Sequence, residues 1–332
     1  GIKVNISGDH SLNKRSMRKL IDLMKEFGAF FLPKTKFNFP LKLISSDIPV
    51  GINYDAGVSA QLKSAVMLAG LNCFGNTIIN ETQKSRDHTE NMLLKNNHVI
   101  KIKNNKKKLI EISGRKYLNP LKIDVPNDPS SAAFFTALTL LSKNSSLIVK
   151  NVGLNPTRIG FYKLLIDQGA KIKFKNLKKS NNEIRGDILV KNCKLKAIKA
   201  SKDYYVSSTD EYPILFVLAA LTKGVSKFSG IGDLVNKESN RIVEMKKILD
   251  QIKVKSKISK NELKIYGQGI IDTSNMKVYV PNLGDHRICM SAVILALLTG
   301  IKTKISNFET VYTSSPSFLK IIKSLGVKFE TK

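Results

Sequence analysis

At 332 residues the chain exceeds one ordinary domain, and length alone predicts about two. Hydrophobic residues make up 42%, enough for globular cores, so wholesale disorder is excluded despite a formal charge of +29. No apolar run approaches the ~20 residues of a membrane helix, and Cys73, Cys193 and Cys289 lack any CxxC spacing, which argues against a disulfide framework or zinc knuckle and makes a reducing cytoplasm the expected compartment.

Taken in chain order, the predicted elements form an internal repeat. Residues 12–31 predict an amphipathic helix with a closing strand. Ser59-Ala60-Gln61 then opens an apolar helix to Leu71, followed by a β-like run at 77–80 and a second, amphipathic helix at 87–94. The same order recurs three times. Ser130-Ser131 leads into an apolar helix, a strand at 146–151, a helix at 158–170 and a closing strand from Lys171 to Phe174. Asp210-Glu211-Tyr212-Pro213 leads into an apolar helix, a strand at 225–230 and a helix at 238–252. Asp285-His286-Arg287 leads into an apolar helix, a strand at 303–308, a helix at 315–327 and a closing strand over Val327–Glu330. The paired helix openings fall at 59 and 86, 128 and 157, 210 and 238, and 285 and 314.

An all-round apolar helix must be enclosed, whereas a helix charged on one face lies outside. The pattern therefore predicts βαβ-type units with sheets around central helices. Residues 12–31 match only the second half of a unit, so the chain is expected to lack N-terminal material of at least half a repeat.

Of the 55 cationic residues only eight are Arg. Five of them, Arg15, Arg86, Arg158, Arg241 and Arg287, stand at or just before predicted helix starts. Helix N-termini favour phosphate and carboxylate, and Arg offers a planar bidentate donor where Lys would not. As a set these arginines predict anion sites. The lysine runs 106–108 and 178–179 have no interleaved aromatics and read as solvated loops rather than a nucleic-acid surface. Asp210 heads an apolar helix, where a cap and an acid/base group are equally consistent. Glu238, among Lys237 and Arg241, is either a salt-bridge partner or an acid/base group beside bound anions. His10, His88, His98 and His286 have no metal spacing and read as structural residues. No GxGxxG, Walker lysine loop or GxSxG occurs.

Ser7-Gly8-Asp9 through Lys14-Arg15, Ser59-Ala60-Gln61, Arg86-Asp87-His88-Thr89-Glu90, Asp128-Pro129-Ser130-Ser131, Asn155-Pro156-Thr157-Arg158, Asp210 to Pro213, Lys237-Glu238-Ser239 with Arg241, and Asp285-His286-Arg287 follow one another in this order. In this the chain resembles the 5-enolpyruvylshikimate-3-phosphate synthase family over essentially its whole length. The resemblance implies a two-domain enolpyruvyl-transferase fold, an inside-out α/β barrel of repeated βαβ-type units with buried central helices and helix N-termini facing the interdomain cleft. Residues 1–125 would be a remnant of the first domain, about one and a half units, and 126–332 the second, with three. The implied reaction moves the enolpyruvyl group of phosphoenolpyruvate to the 5-hydroxyl of shikimate 3-phosphate, without metal or organic cofactor, in aromatic amino-acid biosynthesis.

By the same resemblance Ser59, Ala60, Gln61 and Arg86 would bind shikimate 3-phosphate, with Lys237 as a substrate-binding neighbour. Arg15, Arg241 and Arg287 would bind phosphoenolpyruvate. Asp210 would act at the 5-hydroxyl and Glu238 at the methylene carbon. Ser16 and Asn240 depart from the usual Pro and Asp, and Thr313-Ser314-Ser315-Pro316 lacks a lysine that some members use. A cytoplasmic monomer acting on small molecules is expected, with no nucleic-acid or membrane partner. Expressed alone, these residues are expected to show no carboxyvinyl transfer. A sister enzyme acting on a UDP-sugar shares the fold, but the segments at 86–90 and 210–213 fit the shikimate enzyme better.

Overall fold

The computed structural model describes residues 1–104 and 107–330, so Lys106 of the first basic run lies outside the described residues. The backbone forms two compact units: Gly1–Val125 with Lys179–Ile184, and Pro126–Lys178 with Arg185 onward. The short segment 179–184, expected with the second domain, belongs to the first unit, where the Glu183 carboxylate meets His88 Nδ1 at 2.9 Å and Asn91 Nδ2 at 3.0 Å.

The first unit opens with β1 (Lys3–Ile6), α1 (His10–Lys14), α2 (Arg18–Glu26), β2 (Phe30–Leu32) and β3 (Leu41–Ile44). The sheet order is β1-β3-β2, antiparallel throughout. The single helix expected over 12–31 is thus broken: α1 ends at Arg15, and Met17 caps α2 while its N–H donates to Phe37 O. A full repeat follows in β4 (Asn53–Ala56), α3 (Ala60–Gly70), β5 (Asn76–Glu81), α4 (His88–Leu93), β6 (Ile100–Asn104) and β7 (Lys108–Ser113), in sheet order β4-β5-β7-β6. Strands β4 and β5 run parallel, which requires a crossover, and α3 supplies it. Residues 1–44 repeat the second half of this topology: β1, α2, β2 and β3 stand where β5, α4, β6 and β7 stand.

The second unit begins with α5 (Pro129–Leu141), β8 (Ser146–Gly153), α6 (Gly160–Asp167), β9 (Ile172–Ser180) and β10 (Glu183–Lys191), in order β8-β10-β9. Asn127 supplies the parallel partner of β8 as an isolated bridge to Val152. Next come β11 (Lys199–Ala200), α7 (Tyr205–Ser208), α8 (Tyr212–Ala220), β12 (Gly224–Ser229), α9 (Arg241–Gln251), β13 (Ser256–Ser259) and β14 (Glu262–Gly267). Their order, β11-β12-β14-β13 with the first pair parallel, reproduces β4-β5-β7-β6 strand for strand. The last repeat has β15 (Lys277–Val280) parallel to β16 (Lys302–Ile305), joined by α10 (His286–Thr299) and followed by α11 (Phe318–Ser324).

Val327–Glu330, expected as a closing strand, is not one. In the other repeats that strand pairs with a following one, and no such strand follows among the described residues. Lys178 and Lys179 lie exposed on β9 rather than in a loop, because this edge strand is solvent-exposed on both faces from Lys175 to Lys179.

Helix burial follows composition. All nine residues of α8 are buried, and α5, α8 and α10 pack on one another at the centre of the second unit. In the first unit α3 contributes Val66 and Met67 to a core shared with Ile79, Ile110 and Ile112 of the sheet. The buried helices of the second unit leave mainly their N-terminal ends for polar work, whereas α3 is only partly buried, with Leu68 exposed and Lys63 enclosed within the helix.

Candidate functional site

In the second unit a chain of ion pairs joins five helix starts. Asp128 caps α5, Arg158 precedes α6, Asp210 and Glu211 precede α8, Glu238 and Arg241 open α9, and Asp285 caps α10. Arg158 reaches Asp128 Oδ1 at 3.2 Å, Glu211 Oε1 at 3.3 Å and Asp210 Oδ2 at 3.7 Å. Arg241 reaches Glu238 Oε2 at 2.6 Å, Asp285 Oδ2 at 2.9 Å and Asp210 Oδ1 at 3.7 Å. Asp210 therefore stands between two guanidinium groups. The cap position of α8 is occupied by Glu211, so the capping account of Asp210 falls away.

Asp285 is fully buried and takes three roles at once. Its Oδ1 accepts from the Arg287 N–H at 3.0 Å, which caps α10, while Oδ2 accepts from Arg241 Nε and from Ser239 Oγ, each at 2.9 Å. Burial alone would push its carboxyl up; the Arg241 charge and hydrogen bond outweigh burial and hold it below the usual carboxylate range. For Arg241, burial opposes the charge and the carboxylates of Asp285, Glu238 and Asp210 restore it, so it is cationic at every working pH.

Arg287 differs from the other arginines. It is only 7% exposed, and its Nε and Nη1 donate to no acceptor among the described residues. Its guanidinium carbon lies 6.0 Å from the Phe134 ring centroid. A buried cation with idle donors is costly unless an anion completes it. Beside it His286 is pushed down by burial and by the Arg287 charge, which favours the neutral imidazole. Lys237 is held by Asp233 Oδ2 at 2.7 Å, an oxygen that also accepts from Tyr205 OH at 3.1 Å.

The first unit carries the remaining sequence candidates. Ser59 caps α3, its Oγ accepting from the Leu62 N–H at 3.3 Å; Ala60 is half-buried and Gln61 exposed on the same turn. Arg86 is half-buried just ahead of α4. Arg15 is exposed and ends α1 instead of opening α2.

The structure brings together Asp210, Glu238 and Arg241 through direct ion pairs, and sets Arg287 on the Asp285 cap. Sequence reasoning missed Glu211, Ser130 and Asp285 as members of this cluster. Glu211 is 1% exposed and accepts a hydrogen bond from Ser130 Oγ. The available signal was an acidic residue at each apolar helix opening of the second unit, Asp128, Asp210-Glu211 and Asp285. Sequence reasoning also misread Lys108. It belongs to a buried cluster with Lys63, Glu81 and Glu90, because its neighbours on β5 and α4 carry carboxylates inward. Among the described residues no group of three or more His, Cys, Asp or Glu side chains is placed to hold a metal ion, and no helix is long and apolar enough to cross a membrane.

Comparison with known proteins adds an independent line. The family model described as EPSP synthase (3-phosphoshikimate 1-carboxyvinyltransferase) matches residues 1–322. A curated relative, the 3-phosphoshikimate 1-carboxyvinyltransferase of Paramagnetospirillum magneticum, is 35% identical over 97% of this chain and 72% of its own length. The solved EPSP synthase from Acinetobacter baumannii superposes with a TM-score of 0.82 at 30% identity, over 100% of this chain and 75% of that one. The enolpyruvyl transferase NikO from Streptomyces tendae, 12% identical over 98% of this chain and 73% of its own with a TM-score of 0.71, shares the fold.

Proposed function

The chain belongs to the EPSP synthase (3-phosphoshikimate 1-carboxyvinyltransferase) family, and from that membership we propose that it transfers the enolpyruvyl group of phosphoenolpyruvate to the 5-hydroxyl of shikimate 3-phosphate, releasing phosphate, in the shikimate pathway. The observation that carries the reading is Arg287, a buried guanidinium whose donors call for an anion, in a cluster that also holds two partly exposed carboxylates.

Adding the hydroxyl across the enol double bond requires loss of a proton from the oxygen and gain of one at the methylene carbon. Elimination then removes a proton from that same carbon, re-forms the double bond and expels phosphate, which leaves with the proton. Two separate acid/base groups suit this, and in our reading Asp210 serves the hydroxyl and Glu238 the methylene carbon. Arg241 keeps both carboxylates in place and, with Arg287 and Arg15, meets phosphoenolpyruvate. Ser59, Ala60, Gln61, Arg86 and Lys237 meet shikimate 3-phosphate, Lys237 after release from Asp233. In this reading residues 1–125 and 126–332 are the two domains, and the protein works as a cytoplasmic monomer without a cofactor.

Phosphate release that requires both substrates, measured on a version with its relatives' full length, is the direct assay, since no transfer is expected of these residues expressed alone. Asp210→Asn should lower turnover by about 10²–10⁴ and leave shikimate 3-phosphate affinity within a few-fold. Turnover at the parent rate would reduce Asp210 to an ion-pair partner of Arg158 and Arg241.

A further inference from the structure

The most deeply buried charge of the first unit is one that the reaction above does not use. Lys63 sits on α3, one turn beyond Ser59-Ala60-Gln61, with its side chain fully enclosed. Its Nζ lies 2.6 Å from Glu81 Oε1 at the end of β5 and 2.6 Å from Glu90 Oε1 on α4. Lys108 of β7 backs both carboxylates at 3.2 Å. The same Glu81 Oε1 accepts from the Ser85 N–H at 3.0 Å and from Ser85 Oγ at 2.9 Å. Ser85 is itself buried and is the residue immediately before Arg86. A second tie, Ser64 Oγ to Thr89 Oγ1 at 2.7 Å, locks α3 against α4 at the residue after Lys63 and the residue before Glu90. Glu81, Glu90 and Lys108 line one polar cleft together with Asp87, the residue after Arg86.

A hydrophobic residue at position 63 would pack an apolar helix face at less cost than a buried ammonium with two carboxylates. What the ammonium adds is direction: it fixes the rotamers of Glu81 and Glu90, and Glu81 in turn fixes the backbone entering Arg86.

We propose that Lys63 is a positioning residue for substrate binding, a buried hub that sets the α3 opening at Ser59–Gln61 and the Arg86 segment at one fixed separation. The inference rests on the reading that these two segments bind shikimate 3-phosphate. Lys63 touches no substrate; it acts through Glu81 and Ser85. Without it the Arg86 segment samples several positions, and the phosphate group must order the segment as it binds.

The test is calorimetric titration of shikimate 3-phosphate into the parent protein and into Lys63→Met and Ser85→Ala. Ser85→Ala cuts only the hydroxyl link and leaves the core charges paired, so it serves where Lys63→Met folds poorly. The affinity should fall tenfold or more in Lys63→Met and several-fold in Ser85→Ala, and amide exchange at Ser85 and Arg86 should speed up in both without a matching rise elsewhere in α3. A hub with a purely structural role would lower the unfolding temperature and leave the affinity of the folded protein alone. Folded Ser85→Ala binding within twofold of the parent, with unchanged exchange at Arg86, overturns the proposal. A parent protein that binds no shikimate 3-phosphate overturns the functional reading instead.

Discussion

Arg287 and Glu211 are both buried beside the same helix starts, and each is mismatched with its surroundings in a measurable way. Arg287 lacks acceptors for two of its donor groups, so the folded protein bears the cost of hiding a cation. Arg287→Met should therefore raise stability in urea by about 1–3 kcal/mol while abolishing phosphoenolpyruvate binding. A loss of stability would mean that the guanidinium is satisfied by groups not recognised here. Glu211 presents the opposite sign. Burial pushes its carboxyl up, against the Arg158 charge, so the folded state holds its proton more tightly than the unfolded chain. Stability then falls as pH rises above the ordinary carboxylate value, and Glu211→Gln removes that slope. The variant should gain on the parent in denaturant titrations as pH rises from the ordinary carboxylate value through the raised one of Glu211. A gap that is constant across that range, or that narrows with pH, would show Glu211 to be fully compensated by Arg158.

At the scale of elements, the two complete sheets repeat a close approach as well as a strand order. A methyl group built on Gly114, just after β7, would lie 1.9 Å from the Cys73 carbonyl oxygen beyond the end of α3. On Gly267, the last residue of β14, it would lie 2.0 and 2.1 Å from the carbonyl oxygens of Thr222 and Ala219 at the end of α8. Both glycines admit the C-terminal turn of a buried helix against the third strand of its sheet. Gly267→Ala should cost about 1–3 kcal/mol or more in thermal or denaturant unfolding, since backbone oxygens cannot swing aside as side chains do. A neutral effect would mean that α8 slides freely along its sheet. The repeat that both glycines share was legible in the sequence because burial and composition coincide on α5, α8 and α10, whereas α3, read as equally apolar, is only partly buried and leaves Leu68 49% exposed. The broken helix at Arg15 was not legible, since it depends on the distant Phe37 carbonyl, and neither was the missing strand at Val327–Glu330, since a strand forms only against a partner and none follows among the described residues. Lys63 and Lys108 were misjudged for a related reason: a lysine inside an apolar helix or a basic run gives no sign that a carboxylate from another element will meet it. Asp285 was equally hidden, because an acidic helix cap looks the same whether or not a buried guanidinium lies behind it.

The whole molecule carries +29 charges over 332 residues, and among the described residues its four buried carboxylates, Glu81, Glu90, Glu211 and Asp285, are each paired with Arg or Lys. The surplus of cations is thus left largely on the surface, where like charges repel in the compact state more than in the extended one. Raising potassium chloride from 0.1 to 1 M shortens the screening length from about 10 to about 3 Å, which relieves surface repulsion and touches the enclosed pairs far less. The melting temperature should rise by about 2–4 °C over that range, corresponding to roughly 1 kcal/mol for units of this size. A fall would show that exposed ion pairs, rather than net repulsion, dominate the surface energetics.

The idle donors of Arg287 have a practical side as well. A site that lacks only an anion to complete it does not wait for one particular anion. On the reading that Arg287 meets phosphoenolpyruvate, inorganic phosphate, the leaving group of the proposed reaction, offers the same oxygens and should compete with fresh phosphoenolpyruvate for that guanidinium. Phosphate buffers impose that competition from the first second of an assay. Affinities measured in them are lowered by the factor one plus the phosphate concentration over its own dissociation constant, and heat-stability scans in the same buffers are shifted upward by the matching amount of bound-state stabilisation.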